Sequence, residues 1–207
     1  MTFLDRSVSA CAAAALLLPL TMFAAHAQIA VSANDNKVTL QNGTTPVTAN
    51  PPEDTVTILD LGAKPPKVIT ELKAPSSVVG PPQNVAISPD GSLALVASHS
   101  KLDAADPKKQ VPDNRVTVID LKANPPAIVA TIESGPGATG TAFNPAGTMV
   151  LVANRGEGTV SVFSVSGKTL TRTGKVDFGD TKSGPAAIKV LCKSNGLSVT
   201  CAPWPGL

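Results

Sequence analysis

One strand–turn–strand unit recurs along this chain. Val85–Ser98 aligns without gaps on Thr141–Asn154, and Gly184–Ala202 lies without gaps over Gly135–Ala153. Pro89-Asp90-Gly91 and Pro145-Ala146-Gly147 fall at the centre of the first pair. There Pro supplies a fixed φ and Gly the positive φ that closes a turn. Ser194-Asn195-Gly196 occupies the same place in the last copy, and Asn-Gly is itself a strong hairpin turn. A second unit follows each first one. Thr55–Leu61, Arg115–Leu121 and Thr159–Val165 alternate apolar or β-branched residues with others, the period-2 signature of a strand. Each leads through a turn (Pro65-Pro66, Pro125-Pro126, Gly167-Lys168) into another apolar run, Lys67–Leu72, Ala127–Ile132 or Thr169–Val176. Pro and Gly punctuate strands in this way.

Four short strands per unit at a period of roughly 40–50 residues describe the blade of a β-propeller. A β-sandwich also spaces its strands regularly, but it does not repeat one strand–turn–strand unit. The first-strand units stand 56 residues apart (85 to 141) and the third-strand units 44 apart (115 to 159), so 12 extra residues (56 minus 44) sit in the loop Ser98–Asn114. The matching loop of the next repeat is Asn154–Gly158. The expected fold is all-β: a propeller of four-stranded antiparallel blades, incomplete at about three to three and a half. Its blades are Thr55–Leu72 with earlier strands within Ala30–Val47, Val85–Ile132, Thr141–Val176, and a half blade Ile188–Ala202.

The segments Pro82–Ser98, Arg115–Leu121 and Gly158–Val165 resemble the YVTN-type seven-bladed propeller repeats of exported bacterial proteins, and the wider lactonase-like and cytochrome d1-like propeller group. The resemblance runs over about Asp54–Ala202. The family's strand tyrosine is replaced here by Leu95-Val-Ala-Ser98 and Leu151-Val-Ala-Asn154, and Tyr is absent from the whole chain. The resemblance implies a propeller scaffold and speaks only weakly for activity. Seven blades of ~45 residues would need over ~300 residues, and this chain has 207. It therefore reads as a truncated propeller whose open blade edges invite self-association.

The first 27 residues read as an export signal. A short start with Arg6 precedes the apolar Ala10–Ala25, which ends in Ala25-His26-Ala27, a small-x-small cleavage site. The apolar run, with Pro19 inside it, falls short of the ~20 residues of a spanning helix. Cleavage would leave 180 residues (207 minus 27): a partial propeller over 28–202 and a tail over 203–207, with no later membrane span. The localisation expected is periplasmic or secreted. Cys11 leaves with the signal, and Cys192 and Cys201 remain. An oxidising compartment permits a disulfide between them; the alternative is two thiols buried as small apolar residues.

Chemistry along the chain is sparse. A net charge of +2 gives no argument for nucleic acid. No Gly-x-Gly-x-x-Gly nucleotide fingerprint, no haem-attachment Cys-x-x-Cys-His and no Asp-rich calcium loop occurs in the sequence, so no metal or cofactor is expected. His99 opens the long loop, followed by Lys101, Asp103, Asp106, Lys108 and Lys109; these six are the candidate binding residues. A Ser/His/Asp triad can be drawn through this loop, but triads are recognised by geometry, and no catalytic residue is assigned. Asp60, Asp90 and Asp120 recur at fixed places in the repeats and read as turn and strand-end hydrogen-bonding groups. The function expected is a binding or scaffold module for an unknown protein or small-molecule ligand. A lactonase-like hydrolase, or an inactive fragment of one, is the alternative.

Overall fold

The computed structural model describes residues 28–77, 83–193 and 196–203. The expected signal over 1–27, Asn195 of the last turn and residues 204–207 of the tail lie outside them. Among the described residues every regular element is a strand and every sheet is antiparallel. The first sheet is β1 (Ile29–Asn34), β2 (Thr55–Asp60) and β3 (Lys67–Lys73), in that order. Next come β4 (Val85–Ile87) and β5 (Leu93–Ala97), a separate hairpin of β6 (Ser100–Leu102) and β7 (Gln110–Pro112), and then β8 (Arg115–Asp120) and β9 (Ala127–Glu133). The second sheet is ordered β4-β5-β8-β9. The third is a simple meander of β10 (Ala138–Phe143), β11 (Met149–Asn154), β12 (Thr159–Ser166) and β13 (Thr169–Asp177). A last pair, β14 (Pro185–Lys193) and β15 (Gly196–Pro203), is the expected half blade.

Stacking of these sheets face to face explains the apolar runs. Every residue of β5 is buried, because both of its faces are covered. Leu93, Leu95 and Ala97, with Val116 and Val118, pack against Ala138, Val150, Val152 and Phe163 of the third sheet. The alternate residues Ala94 and Val96, with Ile119 and Leu121, pack against Val56 and Ile58 of the first sheet. Leu151 and Val160 meet Ile188 and Val190 of β14 in a third core. A strand buried on both faces reads as a continuous apolar run rather than an alternation. Full burial of each Leu or Val contributes about 1.5–3 kcal/mol, so these inter-sheet cores carry most of the stability. The first strands β4, β10 and β14 lie side by side. The chain is a partial β-propeller.

Gly140 sets how closely β14 can approach. A Cβ there would stand 2.3 Å from the Ala186 carbonyl oxygen, so only glycine admits the neighbouring backbone at this spacing. Each pairing of third with fourth strand also carries a bulge at the same repeat position. The register slips between Ile58 and Leu59, between Val118 and Ile119, and between Val162 and Phe163. The extra residues are Ile69, Val129 and Thr173. Bulges of this kind increase local strand twist.

Two features refine the expected layout. Within Ala30–Val47 there is one sheet strand, β1, which pairs with β2 as β11 does with β12. Residues 38–47 form a small excursion through the bridges Val38↔Val47 and Gln41↔Thr44, turning at Asn42 and Gly43 with φ of 49° and 80°. In the last hairpin the backbone register sets Cys192 opposite Leu197 and Cys201 opposite Ile188. The two cysteines are therefore four residues out of register, not a directly opposed cross-strand pair.

Candidate functional site

The blades have two unlike ends. One carries the tight turns of the repeats. The other carries the longer connections, β1 to β2, β5 to β8 and β11 to β12, together with the crossings between sheets. At this loop end the 12 extra residues fold into the hairpin β6–β7, and its base is held by a hydroxyl chain. Ser100 Oγ lies 2.7 Å from Ser77 Oγ and 2.7 Å from Gln110 Oε1. The His99 N–H donates to the Ser77 carbonyl at 3.1 Å, and the Asp113 N–H to the His99 carbonyl at 2.8 Å.

The six candidate residues divide between base and tip. His99 is half-buried at the base, and Lys101 is exposed on β6. Asp103, Asp106, Lys108 and Lys109 form the tip. There Asp103 Oδ1 accepts from the Ala105 N–H at 2.9 Å, Asp106 Oδ1 accepts from the Lys108 N–H at 3.2 Å, and Lys109 Nζ stands 3.3 Å from Asp106 Oδ2. The fold thus does not gather all six into one pocket. Lys101 instead joins Lys37, Asp54, Lys73 and Arg115 around a cleft of about 330 Å³. Lys37 is buried there, donating to Asp54 Oδ2 at 2.5 Å and to the Ser76 carbonyl at 2.6 Å.

Several organising residues of this end were not singled out from the sequence. Burial alone pushes the Asp113 carboxyl up; hydrogen bonds from Arg115 and Ser98 and the guanidinium charge outweigh it and hold it below the ordinary range. Arg115 Nε and Nη2 both donate to Asp113 Oδ2, at 2.9 and 2.7 Å. Asn154 is fully buried. Its Oδ1 accepts from Ser134 Oγ at 2.7 Å and from the Gly135 N–H at 2.9 Å, while Nδ2 donates to Thr159 Oγ1 and Ser161 Oγ at 2.9 Å each. Asn34 repeats half of this pattern, donating to Thr55 and Thr57 at 3.0 Å. The ungapped alignment carried a signal for one more residue, since it places Arg155 on His99. Burial first, and then the charge of Arg155, lower the His99 pKa from its ordinary value.

At the turn end the three aspartates do what their repeat positions suggested. Asp60 Oδ1 accepts from Gly62 N–H, Asp90 Oδ1 from Ser92 N–H and Asp120 Oδ1 from Lys122 N–H, at 2.8, 3.0 and 2.9 Å. Hydrogen bonds from Ser88 and Ser92 pull the Asp90 pKa down to about 2. Lys168 bridges from the third sheet to Asp120 Oδ2 of the second at 2.5 Å. Beside this bridge lies a cleft of about 690 Å³. Among the described residues no three His, Cys, Asp or Glu side chains are grouped to hold a metal ion, and no helix is long and apolar enough to cross a membrane.

No protein-family model and no curated protein sequence matches the chain. Solved structures do resemble it. Saccharomyces cerevisiae Sqt1 superposes with a TM-score of 0.53 at 11% identity, over 76% of this chain and 38% of its own. The Pseudomonas aeruginosa periplasmic gluconolactonase PpgL gives 0.47 at 18%, over 76% and 46%. The β-propeller domain of Myceliophteria thermophila Cps50 (Swd1) gives 0.44 at 12%, over 73% and 45%. This chain spans less than half the length of each. At such identities the likeness speaks for the fold alone.

Proposed function

We propose that this chain is an exported propeller-repeat protein of the YVTN type, acting as a binding or scaffold module through its loop end. The observation that carries the reading is the hairpin β6–β7. The 12 extra residues are folded on a hydrogen-bonded base of Ser77, Ser100 and Gln110, and they present Asp103, Asp106, Lys108 and Lys109 away from the inter-sheet cores. Repeat scaffolds use insertions on one face for recognition. The test is a photo-crosslinking residue placed at Lys108 and, in a second protein, at Gly167 of the opposite end, with both expressed in the native host. The reading expects a discrete adduct from Lys108 only. Adducts of equal yield from both positions, or none from Lys108, contradict it.

Export is part of the same proposal. It rests on the layout of Met1–Ala27, and N-terminal sequencing should find the protein outside the cytoplasm beginning at Gln28. Self-association through the outer face of the first sheet and the free edge of the last hairpin would show as more than one chain per particle in size-exclusion with light scattering. A second reading, hydrolysis of a lactone, has one feature in its favour: the half-buried His99 imidazole at the loop end beside the charge of Arg155. Lactone turnover that vanishes in His99→Gln would select it.

A further inference from the structure

Asp35, His99 and Arg155 are the residues directly after the second strands of three successive sheets. Two of them have binding capacity that the described residues leave unused. Asp35 is taken up by Lys37 at 3.0 Å. Arg155 is different. A guanidinium offers five N–H donors, and among the described residues one bond is made, from Nη1 to the Gly184 carbonyl at 2.9 Å, with no carboxylate partner.

The groups around it are also unmatched. Ser183, next to that carbonyl, has a buried Oγ without a hydrogen-bond partner, and so has the Nδ1 of His99. Acids in the vicinity are engaged elsewhere. Asp113 is held by Arg115, Glu157 accepts from Thr159 Oγ1 at 2.6 Å and faces Lys175 at 4.0 Å, and Asp180 accepts from the Lys182 N–H at 2.8 Å. Buried polar atoms in folded proteins are paired as a rule, and an exception points to water or an ion. A guanidinium without a carboxylate, flanked by an imidazole nitrogen and a hydroxyl that lack partners, fits the planar oxygens of an anion.

We propose that Arg155, His99 and Ser183 form an oxyanion subsite at the loop end, between the second and third sheets, for the carboxylate or phosphate group of a small molecule. The subsite lies at the base of the β6–β7 hairpin, apart from its charged tip, so it stands or falls independently of the partner-binding reading. Arg155 gives the fork of donors, Ser183 a hydroxyl, and His99 a ring N–H whose protonation strengthens the anion's hold.

The test is imidazole NMR on the full chain, in which His26 is the only other histidine and serves as internal reference. Inorganic phosphate is titrated in one arm and acetate in the other, at fixed ionic strength set with sodium chloride. The proposal expects saturable shifts of the His99 ring in at least one arm, with His26 unmoved; the responding arm separates phosphate from carboxylate. Arg155→Gln should weaken binding at least tenfold, and Lys67→Gln at the far end should leave it unchanged. Should Arg155→Gln fail to fold, Ser183→Ala is expected to weaken binding at least threefold. No saturable shift in either arm, or unchanged affinity in the folded Arg155 or Ser183 variant, overturns the proposal.

Discussion

Asn154→Ala removes the amide that ties the end of β11 to two neighbouring segments. The native side chain makes four hydrogen bonds in a fully buried setting, to Ser134, Gly135, Thr159 and Ser161. A neutral hydrogen bond contributes about 0.5–1.5 kcal/mol net, but the three hydroxyls can rotate toward one another and recover part of the loss. The Gly135 N–H cannot move. Left buried without an acceptor it costs about 1–3 kcal/mol, and the lost amide volume adds to this. The expected destabilisation is about 2–4 kcal/mol, a large share of a total near 5–15 kcal/mol. Asn34→Ala is the internal control. It loses two bonds of the same kind, to Thr55 and Thr57, but at a half-exposed site where water can replace them, so its cost should stay below ~1 kcal/mol. Urea unfolding followed by circular dichroism reads both. At an m-value of ~2 kcal/mol/M the Asn154 variant should lose about 1–2 M in midpoint. A loss under ~1 kcal/mol at Asn154, or an equal loss at Asn34, would refute this account of the buried amide.

Gly140→Ala should push β14 off β10, because its Cβ would meet the Ala186 carbonyl oxygen at 2.3 Å. Overpacking of this kind costs about 1–3 kcal/mol, and limited proteolysis should then cut within 185–203 before the rest unfolds. Gly174→Ala, whose Cβ meets nothing within 4 Å, should stay within ~0.5 kcal/mol of the native chain. Asp90 has a folded pKa of about 2, below its ordinary 3.8, so it stabilises the fold above the ordinary value and loses that contribution as pH falls from about 4 toward 2. Asp90→Asn should therefore flatten the acid limb of the stability curve in that window; an unchanged acid limb would contradict the assigned hydrogen bonds.

The sequence made the blades legible because one physical constraint acts on each copy. Leu93–Ala97 and Met149–Asn154 are apolar throughout because sheets cover both faces, and the turns between strands need Pro and Gly at set places. What stayed hidden depended on neighbours in space. The bulges at Ile69, Val129 and Thr173 leave no mark on a local pattern, since an inserted residue in an outer strand is still β-branched. The β6–β7 hairpin has too few apolar residues to show alternation; its strands are fixed by Ser77, Ser100 and Gln110, which belong to different segments. β1 could have been placed more sharply. Ala33-Asn34 repeats the Ala153-Asn154 that ends β11, with Thr55 and Thr57 standing where Thr159 and Ser161 stand. Within the candidate site, His99 was visible as a lone imidazole, while Arg155 needed the alignment to be read one residue past its end.

Hydrogen exchange of the backbone amides tests the central claim, that the second and third sheets are blades covered on both faces while the flanking sheets are covered on one. Exchange free energies rise toward the global value where strands are enclosed and fall where they open locally. The account predicts the slowest amides in β5, β8, β11 and β12, around Leu95, Val118, Val152 and Val162, with faster exchange in β1–β3 and in β14. Slowest exchange in the first sheet, or uniform protection from β1 through β14, would contradict it.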